Sequence, residues 1–572
     1  MARLDSKVLF MITSPRSPEK MIPEIDLLAR NFSGKPWNKE NQEGFMEVLR
    51  DEDFFHGQGA KDPAFSARDR INRAPKALGF VTLSPVIELT RAGEELVDAR
   101  YTNEIFLRQL LKFQIPSPYH QPTEKAAEFW VKPYLEIFRL IYTLGELRFD
   151  ELMIFGMQLT DYRNFDKIIN KIKAFREAKK QHRGSYKIFR GEYLARELRS
   201  VYADEINAGD TKTREQRSKA VEVFLRVKGS NMRDYADACF RYLRATGMIN
   251  VSYVGKTLTI MKEKMEEVKF FLDNTDREPC FVDSERKYVS YLTNPQLPEL
   301  LTDNPSRLFK KIREEFPDVN VTMSTPVKDM KDILIEETAH RKERLIRAQQ
   351  VELKDYKLYQ EIQTTFGQID REELYDIPLM LEWNVWRSMT MLDGGDIKAN
   401  LKFDDFGKPM STAQGNVADI VCDYGDFDVI VEVTMASGQR QYEMEGEPVS
   451  RHLGKLKKQT GKPTYCLFVA PTINEACIAH FYMLHQTSIS YYGGKSIIIP
   501  VSLDNFKKMV DQAYAAPAKP KPADIERFFK YSARVVKENI LSNMESSGEE
   551  EKREEMVWYN RMSERAQNWL SQ

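Results

Sequence analysis

The pattern of apolar and polar positions changes along the chain. Up to about residue 375, most segments have apolar residues at helical spacing, interrupted by a few short strand-like runs. Beyond that point, continuous apolar runs such as 464–469 and 496–501 are typical of buried strands in a central sheet. The pattern predicts a multidomain α+β chain with a mainly helical N-terminal half and a C-terminal α/β domain with a mixed sheet.

An internal repeat marks the N-terminal half. Residues 66–78 and 231–246 each form an arginine-rich helical segment that ends at a glycine, Gly79 or Gly247. Two short strands and a further helix follow each glycine. The predicted strands are 80–82 and 86–89 in the first copy and 248–251 and 257–260 in the second. This order is that of a winged helix, whose recognition helix enters the DNA major groove, so we predict two winged-helix-like units.

Basic side chains in and near the repeat are candidates for DNA contacts, because arginine bonds bidentately to guanine or to phosphate. Arg16 also precedes a predicted helix start at Ser17, where free backbone N–H groups favour a phosphate. Some arginines must instead face the core or pair with Asp69, Asp234 or Asp237. The candidates are Arg16, Lys20, Arg68, Arg70, Arg73, Arg233, Arg241 and Arg244.

Three regions follow from these patterns. Residues 1–270 form a recognition region, with the winged-helix-like units at about 1–105 and 200–270. Residues 271–375 are helical and strongly charged, with no strand signal and no catalytic cluster, so we predict a helical linker domain. Residues 376–572 form the α/β domain.

Composition narrows the class of protein. The 572 residues are 42% hydrophobic and 30% charged, which is typical of a folded chain and excludes a disordered or fibrous one. No run approaches the ~18 apolar residues of a membrane span, and the first residues have no signal-peptide core, so we expect a cytoplasmic protein. The five cysteines form no CxxC pair, which argues against a zinc ribbon and a disulfide framework.

Charge is distributed unevenly along the chain. The net charge is −1, but residues 1–250 hold 42 Lys and Arg against 35 Asp and Glu, and the remainder holds 43 against 51. A basic half followed by an acidic half is consistent with a polyanion-binding region joined to a carboxylate-rich one. Simple drift in surface composition is the alternative.

Residues 416–434 hold two strand-like runs separated by Gly425-Asp426, a dipeptide suited to a two-residue hairpin turn. That turn places Asp419 opposite Glu432, with their Cβ atoms ~5 Å apart. Facing acids repel, and a divalent cation removes the conflict; oxygen-only ligation suits Mg²⁺. The alternative is a longer turn with acids that merely fringe the hairpin, since the same register also pairs Asp423 with Asp428.

Further candidates lie nearby in the sequence. Glu382 falls on a predicted helix, and Glu445 and His452 follow the hairpin. Lone residues of these types are more often surface groups or core contacts. The chain has no GxxxxGK[ST] phosphate-binding loop, which argues against ATP-driven translocation.

Five segments resemble the AlwI family of type IIS restriction endonucleases and its strand-nicking relatives, which include the large subunit of a heterodimeric GAGTC-reading enzyme. The resemblance extends over nearly the whole chain. The segments are SPRSPEK at 14–20, FSARDR at 65–70, RDYADA at 233–238, GEPVSRH at 446–452 and CLFVAP at 466–471.

The resemblance implies a winged-helix recognition region and a C-terminal nuclease domain of the PD-(D/E)XK type. By position, Asp419 and Glu432, with the Val433 carbonyl, match the residues that hold Mg²⁺. Glu382, Glu445 and His452 match further active-site positions. The wider nuclease pattern has Glu-x-Lys, but this chain has Thr434 in place of the lysine, and whether His452 or Glu445 takes over its role stays open.

The expected function is Mg²⁺-dependent hydrolysis of one strand of double-stranded DNA, a few base pairs outside a short asymmetric site, leaving 5′-phosphate and 3′-hydroxyl ends. One active site attacks one strand, so double-strand cleavage would need a second copy or a small catalytic subunit. Two alternatives remain: a non-catalytic sequence-specific DNA-binding protein, and a sequence-tolerant repair-type nuclease.

Overall fold

The computed structural model describes residues 2–52, 54–55, 62–213, 216, 218–252, 256–392, 394–412, 417–545 and 553–571. The chain forms two compact units, residues 1–334 and 335–572. This division falls inside the predicted linker, whose residues 271–334 belong to the first unit and 335–375 to the second. Residue 416, where the predicted hairpin segment begins, lies outside the described residues.

The first unit is mainly helical. Its helices are α1 (Met21–Phe32), α2 (Lys39–Arg50), α3 (Pro63–Ile71), α4 (Ala74–Ala77), α5 (Arg91–Val97), α6 (Thr102–Lys112), α7 (Pro133–Leu144), α8 (Phe149–Ile154), α9 (Phe165–Gln181), α10 (Tyr186–Val201), α11 (Ala203–Asn207), α12 (Val221–Arg244), α13 (Met265–Asn274), α14 (Glu285–Leu292) and α15 (Pro305–Glu315). Its strands are β1 (Ala2–Leu4), β2 (Val81–Thr82), β3 (Glu88–Leu89), β4 (His120–Pro122), β5 (Leu147–Arg148), β6 (Ile249–Ser252) and β7 (Thr257–Ile260). Helix α16 (Val327–Lys354) includes the residues on both sides of the division.

Both repeat copies have the predicted order of elements. In the first, β2 and β3 pair antiparallel and α5 follows; in the second, β6 and β7 pair antiparallel, β5 adds to β7, and α13 follows. Gly79 and Gly247 have φ values of +76° and +68°, a backbone region that favours glycine and ends a helix. The helix, glycine, hairpin and helix order is therefore confirmed in both copies.

The helices before the two glycines differ. The second copy uses the last turns of the continuous 24-residue helix α12. In the first copy, the single predicted segment 66–78 is wrong, since α3 ends at Ile71 and α4 begins at Ala74. Pro75 explains the break, because it has no N–H to donate to an earlier turn and its ring disfavours helical geometry before it.

A buried ionic cluster joins α6 to the region around residue 303. The Arg108 side chain is 2% exposed, and its Nη2 lies 2.6 Å from Glu104 Oε1 and 2.7 Å from Asp303 Oδ1. Lys331 Nζ lies 2.8 Å from the same two oxygens. Two cations and two anions therefore compensate one another inside the first unit.

The second unit is built on a mixed sheet. Its helices after α16 are α17 (Tyr359–Asp370), α18 (Ile377–Met391), α19 (Gln439–Thr460), α20 (Glu475–Gln486), α21 (Leu503–Ala515), α22 (Pro522–Glu545) and α23 (Glu554–Ala566). Its strands are β8 (Asp396–Ala399), β9 (Leu401–Phe403), β10 (Pro409–Thr412), β11 (Ile420–Asp423), β12 (Asp428–Val433), β13 (Thr464–Ala470) and β14 (Ile498–Ser502).

Five of these strands form the central sheet in the order β14-β13-β12-β11-β8. Strands β12, β13 and β14 are parallel, whereas β11 is antiparallel to both of its neighbours. Every residue of β12 and β13 is buried, as expected for parallel strands covered on both faces by crossover helices. The predicted mixed central sheet is confirmed, and α19 and α20 are its crossover connections.

Among the described residues, no helix is long and apolar enough to cross a bilayer.

Candidate active site

The predicted hairpin has the predicted register. Ile420 pairs with Val431 and Asp423 with Asp428, and the Tyr424 N–H donates to the Phe427 carbonyl across the turn at 3.0 Å. Gly425 has a φ of +85°, which a two-residue turn with glycine accommodates. Continued by one residue, this register places Asp419 opposite Glu432.

Asp419 and Glu432 are held at this end of the hairpin by the backbone. The Val433 N–H donates to Asp419 Oδ2 at 2.8 Å, and the Asp419 backbone forms a hydrogen bond with the Glu432 carboxylate. Glu432 is 5% exposed, and Asp419 is half-buried just before β11. The two acids therefore lie side by side with little solvent to screen their charges.

Helix α19 brings two further side chains to the pair. His452 Nδ1 lies 2.8 Å from Glu432 Oε1. Glu445 lies seven residues earlier, two turns along the same helix face, and shares a hydrogen bond with the Thr434 side chain. Thr434, at the position where the lysine would stand, thus contacts one of the candidate catalytic acids.

Gln441 fixes the start of α19 over the ends of the parallel strands. It is fully buried, and its Nε2 donates to the carbonyls of Ala436 at 2.9 Å and Thr472 at 2.8 Å. Its Oε1 accepts from the Asn474 N–H at 2.8 Å. Sequence reasoning missed this residue, because a glutamine in a polar helix start carries no signal that it will be buried.

Glu382 reaches the cluster from α18. Its Oε2 is buried and has no hydrogen-bond partner among the described residues. Asp419, Asp376 and Glu445 all raise its pKa electrostatically, after burial as the largest cause. Glu382 therefore lies close to the other carboxylates, and its Oε2 can still accept a hydrogen bond or bind a cation.

The electrostatics of the site are those of uncompensated acids. Burial raises the pKa of Glu382, Asp419, Glu432 and Glu445. After burial, the charge of Glu432 is the largest cause that raises the pKa of Asp419, and the charge of Glu445 is the largest that raises the pKa of Glu432. Burial, with Arg451 beside it, lowers the pKa of His452 to about 4, so its imidazole is neutral at pH 7.

The donor set fits a hard cation. Every acid in the cluster offers oxygen, and an ionised carboxylate has about four acceptor sites, so the contacts described above leave room for a metal. Within the described part of the chain, no three His, Cys, Asp or Glu side chains are arranged to hold an ion by themselves. Mg²⁺ usually keeps several waters and takes one or two carboxylates, so two acids and a backbone carbonyl suffice.

In the first unit, segment 13–16 brings together arginines from both repeat copies. Arg16 Nε and Nη2 lie 3.0 and 2.9 Å from Asp237 Oδ2 on α12, and Arg241 Nε lies 3.1 Å from the same oxygen. Arg73 Nη1 lies 3.4 Å from Thr13 Oγ1. These contacts place Arg16, Arg73 and Arg241 around one segment of chain.

The remaining basic candidates are more scattered. Arg244 is 7% exposed and lies on the apolar face of α12, one turn after buried Phe240, which disfavours the predicted contact with DNA. Arg70 is bound to Glu24 at 2.5 Å, and Arg68 Nη1 donates to Gln42 Oε1 at 2.7 Å. Lys20 and Arg233 are exposed.

The predicted pairing of some arginines with nearby acids is confirmed. Arg73 Nη2 lies 2.7 Å from Asp69 Oδ1, in addition to the Arg241 and Asp237 pair. The contact of Asp237 with Arg16 was missed, because 221 residues separate the two in the sequence.

Comparison with known proteins identifies one family. The model of the AlwI restriction endonuclease family matches residues 76–509, a segment that includes all five active-site candidates. No curated protein matches significantly.

Three solved structures match this chain over nearly their own full length. The small subunit of the heterodimeric restriction endonuclease R.BspD6I has 24% identity and a TM-score of 0.28, covering 37% of this chain and 95% of that one. The BpuJ1 endonuclease binding domain, solved with modified DNA, has 13% identity and a TM-score of 0.32, covering 50% and 96%. The restriction endonuclease FokI has 11% identity and a TM-score of 0.24, covering 91% and 98%.

Proposed function

The chain belongs to the AlwI restriction endonuclease family and is therefore a DNA endonuclease, and from this premise we propose that it cuts one strand beside a short asymmetric site in a Mg²⁺-dependent reaction. The observation that carries the proposal is the convergence of Asp419, Glu432, Glu445 and His452 at one end of the β11–β12 hairpin. Winged-helix units for recognition and a PD-(D/E)XK nuclease domain are part of the same proposal.

In this mechanism Asp419, Glu432 and the Val433 carbonyl would hold Mg²⁺. The bound ion would polarise the scissile phosphate and lower the pKa of a water molecule. The backbone N–H of Val433 orients Asp419, and His452 orients Glu432 through its Nδ1 contact of 2.8 Å. Both carboxylates are thus fixed before DNA arrives, which reduces the reorganisation that the reaction requires.

Glu445 is the proposed proton acceptor. Burial raises its pKa, which moves it towards the pH at which a general base is most effective. His452 is less suited to that role, because a pKa of about 4 makes it a weak base. Thr434 then acts in a different way from the lysine it replaces, since its hydroxyl positions Glu445.

The DNA-binding surface in this proposal is the arginine group around segment 13–16, with Lys20 and Arg233. The Arg16 and Arg73 side chains are 71% and 45% exposed, so both are available to phosphates or base edges. Binding that neutralises several phosphates should weaken steeply with salt.

One active site can attack only one of the two antiparallel strands. The chain therefore nicks duplex DNA by itself in this proposal. Cutting the second strand requires a second copy or a small catalytic subunit that brings another set of acids.

The test is incubation of supercoiled plasmid with wild-type protein in Mg²⁺ or in EDTA, beside the variant Glu432→Ala. Open circles that appear only with wild-type protein and Mg²⁺ are expected, and sequencing across the nicks should map them to fixed offsets from one site. Discrete linear fragments would instead indicate double-strand cutting by a self-associating enzyme. A smear would favour a sequence-tolerant nuclease.

A binding assay separates the two functions of the chain. Glu432→Ala should bind the mapped duplex in Ca²⁺ as tightly as wild type, because the change lies in the second unit. If plasmid is unchanged but specific binding is observed, the protein is a DNA-binding protein or needs a catalytic partner. If Glu432→Ala loses binding too, the site is misplaced or the variant is unfolded.

A further inference from the structure

We propose that Asp237 is a positioning residue of the DNA-recognition surface, which holds Arg16 and Arg241 in one arrangement so that the N-terminal segment and the second repeat copy contact DNA as a unit. The inference rests on the proposed DNA-binding function. It concerns an acid, which a phosphate-binding surface would otherwise disfavour.

The geometry is a single carboxylate oxygen shared by two guanidinium groups. Asp237 Oδ2 lies 3.0 and 2.9 Å from Arg16 Nε and Nη2, and 3.1 Å from Arg241 Nε. A second contact fixes the same junction, because the Tyr242 hydroxyl donates to the Pro15 carbonyl at 3.0 Å. Segment 13–16 is therefore attached to α12 at two adjacent points.

The three charged groups differ in exposure. The Asp237 side chain is 14% exposed and that of Arg241 is 17%, whereas that of Arg16 is 71% exposed. Asp237 and Arg241 thus form a partly buried base on α12, and Arg16 projects from it into solvent. Two of the three side chains are cationic, which suits a phosphate-binding surface.

The contact also reaches the first repeat copy. Arg73 Nη1 lies 3.4 Å from Thr13 Oγ1, and Arg73 is held by Asp69 in turn. Arginines from both repeat copies therefore lie around segment 13–16. Asp237 is the acid that attaches this segment to the second copy.

A purely structural role for the pair is a poor explanation. An ion pair whose arginine is largely exposed contributes little to the stability of a fold, because water screens it and fixing the long side chain costs entropy. A free arginine side chain loses rotamer entropy when it is fixed, so holding Arg16 in place before DNA binds would favour specific binding. The gain appears in recognition, where the position of a guanidinium decides which base or phosphate it meets.

The charge of Asp237 and its hold on the two arginines have opposite effects on DNA binding. Asp237→Asn removes a negative charge close to DNA, so affinity for unrelated sequence should rise about twofold to threefold. The same change releases Arg16 and Arg241, so affinity for the preferred sequence should fall about tenfold, the cost of weakening one specific arginine contact. A merely structural residue would lower both affinities together, along with the melting temperature.

Asp234→Asn provides the matched control. Asp234 is exposed on the same helix, one turn before Asp237, and its replacement removes the same charge. Asp237→Glu provides a conservative rescue, because it keeps the carboxylate. Asp237→Glu should recover part of the lost specificity. If only the charge mattered, Asp237→Glu would recover all of it.

The experiment uses full-length protein in Ca²⁺ and a pool of short duplexes of random sequence. Wild-type protein selects its preferred duplex, and dissociation constants are then measured for that duplex and for a scrambled version. The expected result is a drop in the specificity ratio of about twenty- to thirtyfold for Asp237→Asn, the product of the two changes above, and little change for Asp234→Asn.

Three outcomes would overturn the inference. Equal ratios for Asp237→Asn and Asp234→Asn would mean that only charge matters, and additive losses in the double variant Arg16→Ala with Asp237→Asn would mean that the two residues act separately. If wild-type protein enriches no sequence at all, the proposed specific DNA binding fails and the inference fails with it.

Discussion

The two units each contain a group of buried ionisable residues, and the two groups are built in opposite ways. In the first unit, Arg108 and Lys331 compensate Glu104 and Asp303 at 2.6–2.8 Å. Burial alone would raise the pKa of Asp303, but the charge of Arg108 and its hydrogen bonds hold that pKa below its ordinary value. Each acid in this cluster has a fixed cation beside it.

In the second unit, four acids converge, and among the described residues no Lys or Arg forms an ion pair with any of them; the charge of Arg451 lowers the pKa of Glu432 but does not reverse its rise. Burial raises the pKa of Glu382, Asp419, Glu432 and Glu445, and the neighbouring acids raise the first three further. The neighbouring histidine is neutral. A balanced cluster stabilises the fold, whereas an unbalanced one costs stability and is retained where a cation or a proton transfer uses the charge.

The largest expected effect comes from removing the proposed proton acceptor in the unbalanced group. Glu445→Gln keeps the shape of the side chain and its hydrogen bond to Thr434, but a neutral amide cannot take a proton. Nicking of plasmid should slow by at least about a hundredfold, the lower range for general-base catalysis. The measurement is the initial rate of open-circle formation in Mg²⁺.

Glu447→Gln is the matched control for that variant, because Glu447 lies two residues later on α19, is exposed and pairs with Arg451. Its nicking rate should stay within about twofold of wild type. Equal losses in both variants would show that any charge on this helix matters, and the assignment of Glu445 would be abandoned.

A smaller effect, on stability and not on chemistry, is expected in the balanced cluster. Asp303→Asn removes one of the two anions that compensate Arg108 and weakens charge-assisted hydrogen bonds, so the free energy of unfolding of the first unit should fall by about 2 kcal/mol. Urea unfolding monitored by hydrogen exchange in α6 measures it. Asp318→Asn, at an exposed acid, should change this free energy of unfolding by less than about 0.5 kcal/mol. Similar values for the two variants would mean that the buried ionic cluster contributes no more to stability than an exposed acid does.

The smallest effect is a pH-dependent difference between Glu432→Gln and wild type in EDTA. The folded-state pKa of Glu432 is raised, so its ionised form destabilises the second unit above the pKa of the unfolded chain, and protonation relieves this as pH falls. Glu432→Gln should therefore stabilise that unit more at pH 8 than at pH 5, by about 1 kcal/mol. Thermal unfolding at the two pH values tests this, and an equal effect at both would show that Glu432 is not under electrostatic strain.

Much of the hairpin could be predicted from its own sequence. The Gly425-Asp426 turn and the alternation on either side fix the register, because hairpin pairing depends on residues only a few positions apart. The facing of Asp419 and Glu432 follows from that register. The arrival of Glu382, Glu445 and His452 beside them does not, because it depends on how α18 and α19 pack against the sheet. The sequence offered these three only as neighbours along the chain, and resemblance to a family matched them to active-site positions.

The arginines show the same division. The local sequence shows that arginines are concentrated before two glycines, and it predicts the order of elements after each glycine. It does not predict which arginines reach solvent, since Arg241 and Arg244 lie one turn apart on α12 and only Arg244 is buried.

The sequence by itself therefore predicted the order of elements after each glycine, the hairpin and the pair of facing acids, because each depends on short-range backbone preferences and periodicity. Tertiary structure alone decided which acids share one buried volume, which arginines are exposed, and that Asp237 contacts Arg16 across 221 residues. The physical reason is that burial and charge proximity, which set pKa values and accessibility, are properties of packed neighbours, and those neighbours are distant along the chain.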